Sequence, residues 1–163
     1  MATVDVSNGL NGGTHPSRAI RKEPYKVEVD VNLADAATTK GSVLASADVL
    51  QVIDVPAKTM IWAAGLEVVT PNDGDFQIDI GTGANPDAFA DNFDCDGTST
   101  GDMTAIPAAY SPIVVSSDDT IDVVIGPTVG SADPTSGVWR VFAVMQDVSD
   151  DLGPDEVDRD QLA

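Results

Sequence analysis

The chain holds one cysteine and one histidine, and each scarcity closes a class of chemistry. With Cys95 alone, no internal disulfide can form, so the fold needs no oxidising compartment. His15 sits in a Gly- and Asn-rich stretch near the N-terminus, where nothing rigid can orient an imidazole. That removes most histidine-based triads and histidine-ligated metal hydrolases. No GxSxG, HExxH, Walker or GxGxxG pattern occurs; GTGANP at 81–86 follows a strand-like run, but no helix-like run follows it. Carboxylate pairs recur throughout so Asp-rich a chain that they say nothing about glycosidase chemistry. No enzymatic function is expected, since a site and not a fold must carry that claim.

Basic residues are also scarce: 8 against 27 acidic ones, a net charge of −19. A chain this acidic repels phosphate backbones, so no nucleic-acid partner is expected. No apolar run approaches the roughly 18 residues that span a bilayer, so no membrane partner is expected either. The opening MATVDVSNGL lacks the basic and apolar regions of a signal peptide, and synthesis in the cytoplasm is the expectation. A convincing 3.6-residue amphipathic period is missing too; SVLASADVL (42–50) is the nearest helical candidate.

What the chain does have is aspartate and period-two alternation. Glutamate occurs only at Glu23, Glu28, Glu67 and Glu156, so the acid is nearly all aspartate, which favours turns over helices. In YKVEVDVNL (25–33), Val27, Val29, Val31 and Leu33 face one way, as in a half-buried strand. DVLQVIDV (48–55) is a second strand, ended by Pro56. KTMIWAAGLEVV (58–69) is a third, with Gly65 read as a bulge or bend. PNDG then turns the chain into DFQIDIG (75–81), with Phe76, Ile78 and Ile80 inward, so 58–81 reads as a hairpin. IVVSS (113–117) and TIDVVIG (120–126) read as another strand pair around Asp118 and Asp119. In VWRVFAVMQDV (138–148), Trp139, Val141, Ala143 and Met145 alternate with Arg140, Phe142 and Val144. Both sets are largely apolar, so this strand is expected to be central, or covered on both faces. Trp62 and Trp139 are expected in the core, and Tyr110 at the surface.

Seven or eight short strands with turn signals between them predict an all-β fold, an antiparallel β-sandwich. Jelly-roll-like and immunoglobulin-like topologies fit equally. The sandwich is expected over 25–148. Residues 1–24 are expected to form an extended N-terminal arm, and 149–163 an acidic C-terminal tail. The composition fits a solvated, disordered tail, but a local inversion of charge at Arg18, Arg21 and Lys22, just before Tyr25, also marks these four as candidates for binding an acidic partner surface.

Residues 82–111 read as a long acidic loop, and inside it NFDCDG (92–97) begins like a calcium loop. With Gly97 at position 6 of an EF-hand, Asn92, Asp94 and Asp96 fall at positions 1, 3 and 5. Position 12 is then Met103, which cannot ligate calcium. The pattern fails there, leaving Asn92, Asp94 and Asp96 as a looser cation candidate beside the plainer reading of an acidic surface turn. Carboxylates around Cys95 would raise its pKa, so no reactive thiol and no cofactor is expected.

The segment DVLQVIDVPAKTMIWAAGLEVVTPNDGDFQIDIGTG, followed by NPDAFADNFDCDGT, resembles small β-rich virion proteins of tailed bacteriophages. The matching stretches are 51–57, 61–69, 75–83, 87–94 and a late strand at 136–147. This resemblance implies a capsid decoration (cement) protein, made in the host cytoplasm. It would sit as a homotrimer on the outer capsid surface and bind the major capsid protein. A tail- or fibre-associated carbohydrate-binding β-module is the alternative.

Overall fold

The computed structural model describes residues 3–5, 23–104, 111–128 and 134–149. The strands are β1 (Thr3–Asp5), β2 (Tyr25–Asn32), β3 (Val49–Val55), β4 (Thr59–Thr70) and β5 (Phe76–Gly81). After them come β6 (Ala90–Asp94), β7 (Ile113–Val115), β8 (Asp119–Thr128) and β9 (Val138–Asp147); the helix α1 (Leu33–Lys40) follows β2. The strands form two sheets, in the orders β1-β3-β8-β5-β6 and β2-β9-β4-β7. The all-β sandwich read from the sequence is therefore the fold.

The pairing is nested. β2 pairs with β9, β3 with β8, β4 with β7 and β5 with β6, all antiparallel. This is one long hairpin with its tip at β5 and β6. It is rolled up so that β4 also meets β9 and β5 also meets β8. That roll is a jelly roll, which decides between the two topologies left open by strand pattern.

Two expected strand pairs are overturned by it. Residues 58–81 are not a hairpin: β4 and β5 lie in opposite sheets. Nor do 113–117 and 120–126 pair, since β7 joins β4 whereas β8 lies between β3 and β5. The turn signals do reverse the chain, but they carry it across the sandwich. Alternation reports which face of a strand is buried, not which strand lies beside it.

Between the sheets lies one apolar core. Phe76, Ile78 and Ile80 of β5 are buried, as are Ile121, Val123 and Ile125 of β8 and Ile61, Leu66 and Val68 of β4. Trp139, Val141, Ala143 and Met145 of β9 complete it, and β9 is central, between β2 and β4. Each large side chain here contributes about 1.5–3 kcal/mol by leaving water. The rings of Phe76 and Trp139 meet across the sheets, centroids 5.8 Å apart. Trp139 Nε1 has no acceptor among the described residues, a cost on the order of 1–3 kcal/mol that its ring burial must exceed.

The helix α1 departs from the sequence reading, which placed its nearest helical candidate at 42–50; that segment is loop leading into β3. Local capping explains the shift. Asn32 Oδ1 accepts from the amides of Ala34 (3.0 Å) and Asp35 (3.4 Å), and Gly41 ends the helix at φ 81°. Lys40 then reaches the buried Asp48 carboxylate, which also accepts from Ala45 N at 2.8 Å. This pair ties the end of α1 to the start of β3.

Gly65 is not at a bulge. The irregularities of β4 lie between Ile61 and Ala63 and between Val68 and Thr70. Gly65 instead faces Phe142, and a Cβ there would stand 2.8 Å from the Phe142 ring and from Thr104 Oγ1. Gly81 is more constrained, because a Cβ would come within 2.0 Å of the Asn85 carbonyl oxygen. The loop after β5 folds back tightly here, with Thr82 N donating to Asn85 O at 2.9 Å. Gly81→Ala must displace backbone, so it should lower unfolding free energy by about 2–4 kcal/mol in urea titration. A change below about 0.5 kcal/mol would show that this loop gives way freely.

Candidate interaction surfaces

The outer face of the β2-β9-β4-β7 sheet grades from charged to apolar. At the β2 edge, Lys26, Glu28 and Asp30 point to solvent. Arg140 of β9 donates to Asp30 through Nε (2.8 Å) and Nη2 (3.1 Å), and its Nη1 lies 3.7 Å from Glu67 of β4. One guanidinium thus links three strands. The pairs are exposed, so water and salt screen them and they add little to stability. Charges along β2 also discourage uncontrolled pairing at that edge.

Moving across, the surface becomes apolar. Lys26 lies over the Phe142 ring, 5.2 Å from its centroid. Beyond stand Val144, Met60, Trp62 and Val114, with Trp62 42% and Val114 51% exposed. Trp62 was expected in the core, and the bulge between Ile61 and Ala63 explains its displacement: it breaks the inward alternation and turns Trp62 outward. There its indole N–H donates to Gln146 Oε1 at 2.9 Å, which fixes the ring on the surface. Large apolar side chains grouped on one exposed face are characteristic of contact surfaces.

The acidic stretch 82–104 is more ordered than the loop expected of it. Part is β6, the edge strand beside β5. Asn92 takes a left-handed conformation (φ 53°), and its amide donates to Asp79 Oδ1 at 2.6 Å. Asp94 accepts from Asp96 N at 2.9 Å, and Asp102 from Ser99 N at 2.7 Å. Residues 101–104 then run along β4, with Val68 N donating to Asp102 O and Thr104 N to Leu66 O. The carboxylates of Asp94 and Asp102 thus staple their own turns. Among the described residues, no three of His, Cys, Asp and Glu gather as a cation cage.

Cys95, midway along this stretch, is buried, and its amide donates to Phe76 O at 3.0 Å. Burial first, and Asp94 second, push its thiol up to about 12. Its side chain anchors the end of β6 to the core. Tyr25 is the first residue of β2, half-buried opposite Met145; burial and then Asp147 raise its pKa. Arg18, Arg21, Lys22 and Tyr110 lie outside the described residues.

On the other sheet Asp122 is buried, between Gln51 of β3 and Gly81 of β5 in register. Burial pushes its carboxyl up to about 6, although the Thr120 hydroxyl donates to it. Asp73 is the opposite case: Thr135 and Ser136 donate to it and hold it down at about 2.

No family model matches the sequence, and no curated protein matches it. Solved structures do match the fold. A chain in the capsid of Ralstonia phage GP4 superposes with a TM-score of 0.55 at 14% identity, over 89% of this chain and 99% of that one. A chain in the capsid asymmetric unit of cyanophage Pam1 gives 0.51 at 14% identity, over 76% and 84%. This jelly roll is thus similar to ones found in phage capsids, the class of assembly to which the sequence resemblance points.

The folded state binds the Asp122 proton more tightly than the unfolded chain does. Its contribution is therefore full below about pH 4 and is lost as pH rises through about 6. Asp122→Asn removes that dependence. The stability of the variant relative to the parent should rise by on the order of 1 kcal/mol between pH 5 and pH 7.5. Melting curves giving a constant difference across that range would contradict the burial argument.

Proposed function

We propose that this chain is a non-enzymatic structural protein of a tailed-phage virion. In this reading it decorates the outer surface of the capsid, as a homotrimer that binds the major capsid protein and cements neighbouring subunits. The observation that carries the reading is the jelly roll itself, matched over nearly the whole length of a chain from a phage capsid. The sequence resemblance over residues 51–57, 61–69, 75–83, 87–94 and 136–147 supports it independently.

The surface chemistry fits such a role. A cementing protein needs a rigid body, a contact face and a soluble exterior, and no placed nucleophile or base. The body is the sandwich. The contact face is the apolar outer surface of β9, β4 and β7, where Trp62 supplies the large, fixed aromatic typical of interface anchors. The acidic exterior keeps copies soluble until they are seated. Arg18, Arg21 and Lys22 would add an electrostatic attachment, and repeated sites on a shell make individually weak contacts collectively strong.

The test is reassembly. Purified chain is added to phage heads lacking it, bound protein is measured by co-sedimentation, and head survival by heating. Native chain should bind to saturation and raise the temperature at which heads break. Trp62→Ala combined with Val114→Ser should weaken binding about tenfold or more while leaving the melting temperature of the free protein unchanged. Reversing the charges at Arg18, Arg21 and Lys22 should weaken it most at low salt. No binding to heads, with binding instead to a host glycan, would replace this reading with the carbohydrate-module one.

A further inference from the structure

The N-terminal strand is joined to the sandwich by far more chain than its position needs. β1 flanks β3 at the edge of the five-stranded sheet, while β2 is the edge of the facing sheet and packs on β3. β1 runs parallel to β3, from the Val49 end towards the Val55 end. Tyr25, where β2 begins, lies at that same end. It faces Met145, Met145 faces Ile61, and Ile61 comes just after the short turn that follows Val55. A connection from Asp5 to Tyr25 within one chain therefore needs about 4–6 residues. Residues 6–24 supply nineteen. Fully extended, that length reaches roughly 60–70 Å, beyond the width of a domain of this size.

Among the described residues the acceptor edge is also incompletely filled. There β1 covers Val49, Leu50 and Gln51, and no strand pairs with that side of residues 52–55. A three-residue ladder rests on few backbone hydrogen bonds, each worth about 0.5–1.5 kcal/mol net, so it opens readily. The pairing is also heterologous: a strand of one kind meets an edge of another, and copies can pass it from one to the next around a ring.

We propose that β1 is an exchangeable strand: Thr3–Asp5 of one copy docks on β3 of a second copy, in the same parallel register, when copies are held close together. In dilute solution a tethered strand meets its own edge at an effective concentration on the order of millimolar, and the intrachain pairing wins. Where copies are packed at comparable density, a neighbour's edge competes on equal terms, and the long connection lets the strand reach it. The inference concerns copies of this chain alone and does not depend on the virion reading.

Thr3 and Val49 are register partners, as are Asp5 and Gln51. Neighbouring strands lie about 4.8 Å apart, within the range a disulfide spans. One full-length chain carrying Thr3→Cys and another carrying Val49→Cys are mixed, oxidised from micromolar to millimolar concentration, and peptide-mapped. A disulfide joining positions 3 and 49 of different chains, rising at least tenfold over that range, is the expected result. Asp5→Cys with Gln51→Cys repeats the experiment at an independent pair, should Val49→Cys fold poorly. A chain carrying both substitutions reports the intrachain pairing. Closure only within the doubly substituted chain at every concentration would overturn the proposal, as would no disulfide at either pair.

Discussion

The fold depends on β9. It pairs along its length with β2 on one side and β4 on the other, joining the first and last long strands of the described sandwich. Its inward side chains, from Trp139 to Met145, are buried, and its outward ones carry the Arg140 link and the Phe142 contact. Among the described residues, removing β9 leaves β2 with no strand partner and β4 with three residues of β7 and the short run at 101–104. Every other nested pair lies inside this outermost one. The body is therefore held by contacts between residues far apart in sequence, which suits a rigid structural element and makes local turns secondary.

The aspartates have two distinct uses. Many are spent on turns: Asp73 accepts from Thr135 and Ser136, Asp118 from Ala57, Asp119 from Gly83, and Asp102 from Ser99. A short side chain with two acceptor oxygens satisfies loop amides where no strand partner is near. Others, such as Asp87, stand in solvent and set the acidic exterior. NFDCDG combines the two: one end is edge strand, the other a turn closed by Asp94, and Cys95 between them is buried in the core.

Much of this was legible in the sequence. Alternation placed the buried faces of β2, β5 and β9, because period two follows directly from strand geometry. It could not show that β4 and β5 belong to different sheets, since neighbours in a jelly roll are set by the global roll. α1 escaped because eight residues are too few for a helical period to register. Its signals were caps, Asn32 before the helix and Gly41 after it. Trp62 was misplaced because a bulge shifts facing by one residue, and nothing in KTMIWAAG marks where it falls. Asp122 gave no sign of burial, since its environment comes from Gln51 and Gly81 on two other strands.

A jelly roll with an apolar outer sheet face and a strongly acidic exterior has the features that the proposed attachment to a phage head would need. The most direct measurement is a difference reconstruction of the phage particle, comparing particles made with this chain and without it. The account predicts added density on the outside of the head that fits this two-sheet sandwich, with the Trp62 face turned towards the shell. Density confined to the tail, or no difference at the head, would contradict it.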